Sequence, residues 1–595
     1  MAALTALAVV TALVAAAALC RAGTALAVVL ATIVLVPGTL PVPGAPGLFT
    51  IHRVVVLAAL SGLLWRCLRG DVPWAVLRPP PLAYRFAFVL GVLAIVGIAL
   101  LQPTTNPASA ARAWQSLAAQ LLLFLTLVAL IRASGGPGAA VTPLVLATAA
   151  GAGIAVVEHV TGGSYARLWF HAIPQLLGRA EAQELARRDG HLRVRAAGDF
   201  TLAYAWTTAA VTPLLVVAAA KVRGRLRTVL LAAIPLVLLA ITWTYSRSVT
   251  VPLLVVLLVV LLVIRDRPLQ LAGGVLLAVG VAVVLAHPSA LHSFSPAADQ
   301  GSIDVRTARL PAVTSIAAAH PFRGVGLSGL TELGFPATDS SYLLGYGEVG
   351  AIGLAALLAL LLAGCAAAYR GVLGTVGDIP AAVPGAAGAG ALLLLIGAFS
   401  FDAFTTTTSA ETFWVLVAIG ITAADGSRVR VPSLSLSLPA RIAVLAGLAA
   451  VGVALAVLAP THRAQTWQFD TLRPYLATVE EPDYTGVQLR TTVCDVIDHD
   501  LTGRSHVDWT CLRLRTGSPG QGLLRLQAPD AAGLRELADR ELALVRRIPT
   551  ENALTLEAMG PARTGTPSAL RTAPAWLPML GLVWLLPVPL TRRTP

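Results

Sequence analysis

Three short stretches of this 595-residue chain combine basic, acidic and hydroxyl side chains at spacings that suit chemistry on an anionic ligand. The first is His191-Leu-Arg-Val-Arg-Ala-Ala-Gly-Asp-Phe200, leading into Thr201-Leu-Ala. The second is Thr244-Tyr-Ser-Arg-Ser248. The third is a series: His320-Pro-Phe-Arg-Gly-Val-Gly-Leu327, then Asp339-Ser-Ser-Tyr-Leu343, then Gly347-Glu-Val-Gly-Ala-Ile-Gly353. Arg193, Arg195, Arg247 and Arg323 offer planar guanidinium forks that fit phosphate or carboxylate oxygens two at a time. Asp339 and Glu348 are the acidic pair best suited to accept a proton, and His320 adds an imidazole. Ser246 and Ser248 flank Arg247 with hydroxyls, and Tyr342 offers a ring for a sugar or for the membrane interface.

The elements that must carry these residues are membrane spans. Apolar residues make up 56% of the chain and charged residues 12%. The apolar residues run in blocks of about twenty, the length that crosses roughly 30 Å of hydrocarbon. Blocks fall near 2–20, 23–42, 52–66, 84–101, 113–131, 139–158, 199–220, 227–244, 248–264, 268–287, 349–369, 380–400, 409–425, 441–459 and 575–590. The expected fold is an all-α polytopic membrane bundle of about fourteen or fifteen transmembrane helices. The first block lacks a basic leader region and reads as a retained span.

The formal charge of +13 comes mainly from short links between blocks, such as Lys221-Val-Arg-Gly-Arg-Leu-Arg227, Arg265-Asp-Arg267 and Arg428-Val-Arg430. That is the positive-inside pattern of cytoplasmic loops and not the footprint of a nucleic-acid partner. With those links inside, the loops 159–198 and 288–348 and the segment 460–574 fall outside. The four arginines of the three motifs then lie on the outer face, against the usual bias. Ionisable groups at the membrane edge are costly, so their default reading is functional.

The organisation that follows is a transmembrane bundle over 1–459, an outer domain over 460–574, and a last helix with a cytoplasmic tail over 575–595. Segment 460–574 alternates near Val487–Val496, Trp509–Arg515 and Gly522–Gln527, and carries a helical pattern near Ala531–Arg547, as a small α/β domain would. Of five cysteines, Cys494 and Cys511 share this segment. Outside the cytoplasm they can pair as a disulfide, closing a loop worth roughly 3 kcal/mol; two separate thiols are the alternative. No phosphate-binding loop, dinucleotide fingerprint or Cys/His metal spacing is present, so no cofactor and no metal are expected.

The order, spacing and common outward topology of the three motifs resemble the O-antigen ligase and polysaccharide polymerase superfamily. Its members carry an arginine loop, a Ser-Arg-Ser/Gly turn, and a His-Pro-x-x-Gly-x-Gly, x-x-Ser-Tyr-Leu, Glu-x-Gly-x-x-Gly series. The resemblance spans about residues 190–365. It implies a GT-C-like, metal-independent glycosyltransferase of the cytoplasmic membrane with its active site facing outward. Such an enzyme takes glycan from an undecaprenyl-diphosphate carrier and joins it to an acceptor hydroxyl on a glycan or lipid. Arginines would then neutralise the departing diphosphate, and a carboxylate or imidazole would take the acceptor's proton. Ligases usually have histidine where this chain has Asp339, which makes polymerisation or another envelope acceptor as fitting as ligation.

Other roles stay open for each residue. Arg247 at a tight turn suits snorkelling to the interface. Arg193 and Arg195 share a loop with Arg187 and Arg188 and suit plain solvation. His320 precedes a proline, and Gly324, Gly326, Gly350 and Gly353 suit turns and helix packing. Two further classes compete with the enzyme: a transporter or flippase of lipid-linked or amphiphilic substrate, and a scaffold whose 460–574 domain does the work. A transporter should show broken or paired polar segments and an internal repeat.

Overall fold

The computed structural model describes residues 20–42, 50–77, 91, 107–171, 185, 187–188, 191–263, 314, 318, 320–332, 340–373, 379–399, 401, 403–404 and 406–425, with five strand segments at 462–471, 508–513, 522–528, 554–558 and 563–565. In chain order the helices are α1 (Ala22–Leu35), α2 (Ile51–Leu68), α3 (Pro107–Ala133), α4 (Gly138–Thr161), α5 (Tyr165–His171), α6 (Thr201–Lys221), α7 (Arg225–Thr242), α8 (Arg247–Val263), α9 (Gly329–Glu332), α10 (Ser341–Leu373), α11 (Ile379–Gly397) and α12 (Thr407–Asp425). Among the described residues six helices contain stretches long and apolar enough to cross a membrane: Ile51–Leu68, Gln115–Ala133, Gly138–Thr161, Thr201–Lys221, Arg225–Thr242 and Ser341–Cys365. The bundle is thus helical and compatible with a multi-pass membrane protein. The expected spans at 268–287, 441–459 and 575–590, nearly all of 2–20 and 84–101, and the helix near Ala531–Arg547 lie outside the described residues.

Helix α6 is the axis of the bundle: its apolar window is 94% buried, and it packs against α4, α7, α8, α11 and α12. Its residues explain that position. Thr207 and Thr212 return their hydroxyls to the carbonyls of Ala203 (2.6 Å) and Thr208 (2.8 Å), so polar side chains cost nothing inside the helix layer. On α11 the run Gly-Ala-Ala-Gly-Ala-Gly at 385–390 lets backbones meet. A Cβ on Gly390 would lie 2.0 Å from the Ala210 carbonyl oxygen, a contact only glycine permits.

Two expected boundaries need correction. The first helix ends at Leu35 and not near 42, because Pro37 follows and the chain turns through a corner closed by a Pro41–Thr50 bridge. Helix α10 begins at Ser341, so Ser341–Glu348 is helical and not part of an outer loop. Its glycines read as loop in the sequence. Tertiary bonds override that propensity: Ser341 N–H donates to the Ala398 carbonyl (2.8 Å) and Tyr342 O–H to the Leu395 carbonyl (2.7 Å). The helix breaks at Gly350 (φ 66°, ψ −174°).

Ahead of α6, β1 (Arg187–Arg188) pairs antiparallel with β2 (His191–Leu192); in the C-terminal part, β3 (His462–Thr471), β4 (Asp508–Arg513), β5 (Gly522–Ala528), β6 (Leu554–Ala558) and β7 (Arg563–Gly565) form one antiparallel sheet in the order β4-β5-β3-β6, with β7 also on β3. β4 and β5 overlap two of the three alternating stretches seen in the sequence. Cys511 lies on β4, and Cys494 falls outside the described residues, as does the proposed pairing.

Candidate functional site

The helix ends sort into two groups. At one end lie Arg66, Arg69, Arg132, Lys221, Arg223, Arg225 and Arg227, the residues of the basic links. At the other end α1, α4, α7 and α11 finish while α2, α6, α8, α10 and α12 begin, and hydrogen bonds tie these ends into one polar assembly.

Glu158, in the last turn of α4, organises the first motif. The helix stops at Gly162, whose φ of 70° lets its N–H return to the Glu158 carbonyl (2.9 Å). The Glu158 carboxylate, 1% exposed, accepts three backbone N–H bonds: Tyr165 on Oε1 (2.8 Å), and Arg195 (2.9 Å) and Ala196 (2.8 Å) on Oε2. Two consecutive N–H groups aimed at one oxygen require an unusual backbone, and Ala196 sits at φ 44°. The carboxylate thereby fixes the path of residues 193–198.

That path delivers Arg193 to the second motif. Arg193 Nε donates to the Thr244 carbonyl (2.9 Å) and Nη2 donates to Ser246 Oγ (3.2 Å), while Val194 N–H reaches the Trp243 carbonyl (3.3 Å). The turn it grips is also strained, with Tyr245 at φ 50°, and opens directly into α8 at Arg247. Ser246 is buried and Ser248 exposed. Beside them the His159 ring stacks on Trp243, centroids 4.0 Å apart.

Arg195 is buried, with Glu158 and Asp199 in electrostatic reach; burial holds its guanidinium below the ordinary arginine range, and the two carboxylates oppose that only in part. Asp199 ends the loop. Its Oδ2 accepts the Thr408 N–H at the start of α12 (3.2 Å), and its buried Oδ1 has no hydrogen-bond partner among the described residues. Burial holds this carboxyl above the usual range, opposed by the Thr408 bond and by His52, with Glu411 adding to the rise.

The third motif is held differently. The turn His320–Gly326 lies across the kink of α10: Val325 N–H donates to the Gly347 carbonyl, Gly326 N–H to the Glu348 carbonyl and Ala351 N–H to the Pro321 carbonyl, each at 2.8 Å. A Cβ on Gly324 would lie 2.4 Å from Glu348 C, and one on Gly350 2.3 Å from Phe322 C. His320 and Arg323 are exposed, and the Glu348 side chain is buried. Tyr342 spends its hydroxyl on Leu395 and packs on Phe399 (4.4 Å), an anchoring role. Asp339 lies outside the described residues.

The structure brings Arg193, Arg195 and Ser246 together with the start of α8, where Arg247 stands. It also reveals residues that the sequence reading did not single out: Glu158, His52 and Glu411, with Asp199 quoted there only as part of the first motif. Each is an ionisable residue inside or at the edge of an apolar block, a signal of function or pairing that the sequence already carried. No protein-family model matches this chain, and no curated protein matches it.

Proposed function

We propose that this chain is a metal-independent membrane glycosyltransferase that moves or polymerises glycan from an undecaprenyl-diphosphate-linked donor onto an acceptor hydroxyl at the outer face of the cytoplasmic membrane. A GT-C-like bundle and an extracytoplasmic α/β domain over 460–574 belong to the same proposal. The observation that carries it is the grip of Arg193 on Thr244 and Ser246, which joins the arginine loop to the Ser-Arg-Ser turn at the end of the bundle opposite the basic links. Basic links face the cytoplasm as a rule, so this arrangement favours an outward site. In this reading Arg193 is committed to holding the turn, and Arg247 is the residue that binds the diphosphate.

The test is glycan transfer from a polyprenyl-diphosphate donor by purified protein in liposomes. Arg247→Lys is expected to lower turnover about thirty- to a thousand-fold, because a point charge does not replace a planar fork on two phosphate oxygens. Folded Lys and Ala variants that turn over at near wild-type rates would remove the strongest residue from the reading.

One observation favours the transporter class: α10 is a broken helix, and carbonyls freed at such breaks often line ligand sites. Here the Gly347 and Glu348 carbonyls are occupied by the Gly324–Gly326 turn, which favours a structural break. Sealed vesicles that move an intact lipid-linked glycan, with no glycosidic bond broken, would decide for transport.

A further inference from the structure

Beneath the arginine loop, His52 in the first turn of α2 meets Glu411 in the second turn of α12, and both side chains are enclosed, with His52 1% and Glu411 6% exposed. His52 Nδ1 stands 2.5 Å from Glu411 Oε2, and Nε2 stands 2.9 Å from the Val36 carbonyl oxygen. A carbonyl can only accept, so Nε2 carries a hydrogen. Nδ1 and Oε2 at this separation then need a hydrogen between them, whichever atom formally owns it. With it the pair is neutral in sum, either imidazolium beside carboxylate or imidazole beside carboxylic acid. Without it, a nitrogen lone pair faces a buried carboxylate, and the hydrogen bond between α2 and α12 is lost.

The surrounding charges make that proton consequential. Arg53 of α2 lies in reach of Glu411, Asp199 of the loop in reach of both His52 and Glu411, and Arg195 in reach of Asp199 and of Glu158 on α4; α1 contributes the Val36 carbonyl. With the pair neutral, two arginines, Arg53 and Arg195, face two carboxyl groups, Glu158 and Asp199. Loss of the proton adds one negative charge next to Asp199, whose Oδ1 has no hydrogen-bond partner among the described residues. Two anionic groups in an enclosed site repel, and Asp199 is the residue that fastens the arginine loop to α12.

We infer that His52 and Glu411 form a buried proton-binding site, holding one exchangeable proton between Nδ1 and Oε2, whose release unfastens α12 from α2 and from the loop that carries Arg193 and Arg195. The proton is the ligand, and the polar end of the bundle is a latch closed by protonation. This inference is independent of the glycosyltransferase reading, because it concerns the resting protein and needs no substrate.

Glutamine at position 411 imitates the bound proton, since its amide donates permanently to Nδ1 of a neutral imidazole. The experiment is hydrogen exchange of the full-length protein in lipid nanodiscs between about pH 6 and 9, read on peptides covering the starts of α2 and α12 and corrected for the chemical exchange rate. If opening releases one proton, the opening equilibrium of these peptides in the wild type rises about tenfold per pH unit above the ordinary imidazole range. Glu411→Gln is expected to be flat across the same range. His52→Phe, which fills the space without a nitrogen, is expected to be open at every pH; if it does not fold, the wild type and Glu411→Gln decide alone. A flat wild type, or Glu411→Gln with the wild-type slope, overturns the inference.

Discussion

The first two motifs and the third occupy the same end of the bundle but are built on opposite principles. Residues 193–199 are fixed by a buried carboxylate: three N–H groups converge on Glu158, and a second carboxylate, Asp199, pins the loop to α12. Residues 320–326 are held by backbone against backbone, with glycine where the chains touch. The two devices fail differently. A joint made of charge depends on protonation and on partners, whereas a joint made of glycine depends on shape alone. The arginine loop is therefore expected to respond to its electrical surroundings, and the turn at 320–326 to depend on its close backbone fit.

The largest expected effect tests the charged joint. Glu158→Ala strands three backbone donors in an enclosed site and leaves Arg195 without its nearest counter-charge. Losses of this type cost about 3–5 kcal/mol, and the thermal midpoint in detergent should fall sharply. Glu158→Gln, which keeps one acceptor oxygen, should recover part of the loss. A wild-type midpoint for the alanine variant would show that the loop is held by something other than this carboxylate.

The glycine joint is tested next. Gly350→Ala places a methyl group 2.3 Å from the Phe322 carbonyl carbon at a φ of 66°, so both the contact and the backbone oppose it. The expected cost is about 2–4 kcal/mol. Unlike a substitution at Glu158, it should be the same at pH 6 and pH 8. A marked pH dependence would mean that charge holds this joint too, and the contrast between the two regions would collapse.

The legibility of this arrangement in the sequence follows the same division. Helices α2, α4, α6, α7, α8, α11 and α12 fall where uninterrupted apolar blocks place them, since length and apolarity act locally. The sheet was only partly visible: β4 and β5 show clear alternation, whereas β3, with Arg463, Gln465 and Gln468 among its residues, does not stand out as a strand. The start of α10 was hidden because Gly345 and Gly347 speak for a loop, and only contacts with the end of α11 make them helical. The arginine loop and the Ser-Arg-Ser turn were marked by their charge, but their union was not, because it is made by Glu158 from a third segment. His52 and Glu411 are separated by 359 positions, and no local pattern pairs them. Each on its own is an ionisable residue in an apolar block, a mark that the sequence carries but that the sequence reading did not single out and that supplies no partner.

The smallest expected effect concerns Asp199, where the charged joint carries a cost of its own. Burial raises this carboxyl above its ordinary value, so the folded protein holds the proton more readily than the unfolded chain does. The stability linked to that proton is fully present below the unfolded value and is lost as pH rises through the folded one. As pH rises, the enclosed Asp199 therefore weakens the fold relative to a neutral residue of the same shape. Asp199→Asn keeps an oxygen for the Thr408 N–H and removes the charge. The variant should melt above the wild type near pH 7 to 8, by an amount on the order of 1 kcal/mol, the ordinary size of a single substitution. The advantage should shrink as pH falls towards the ordinary carboxylate range, where the wild-type side chain is neutral as well. Thermal midpoints of the two proteins across that range provide the comparison. An asparagine variant that is less stable at neutral pH would mean that the attraction of Asp199 to His52 and Arg195 outweighs its burial, and that the joint is stabilised by its charge throughout.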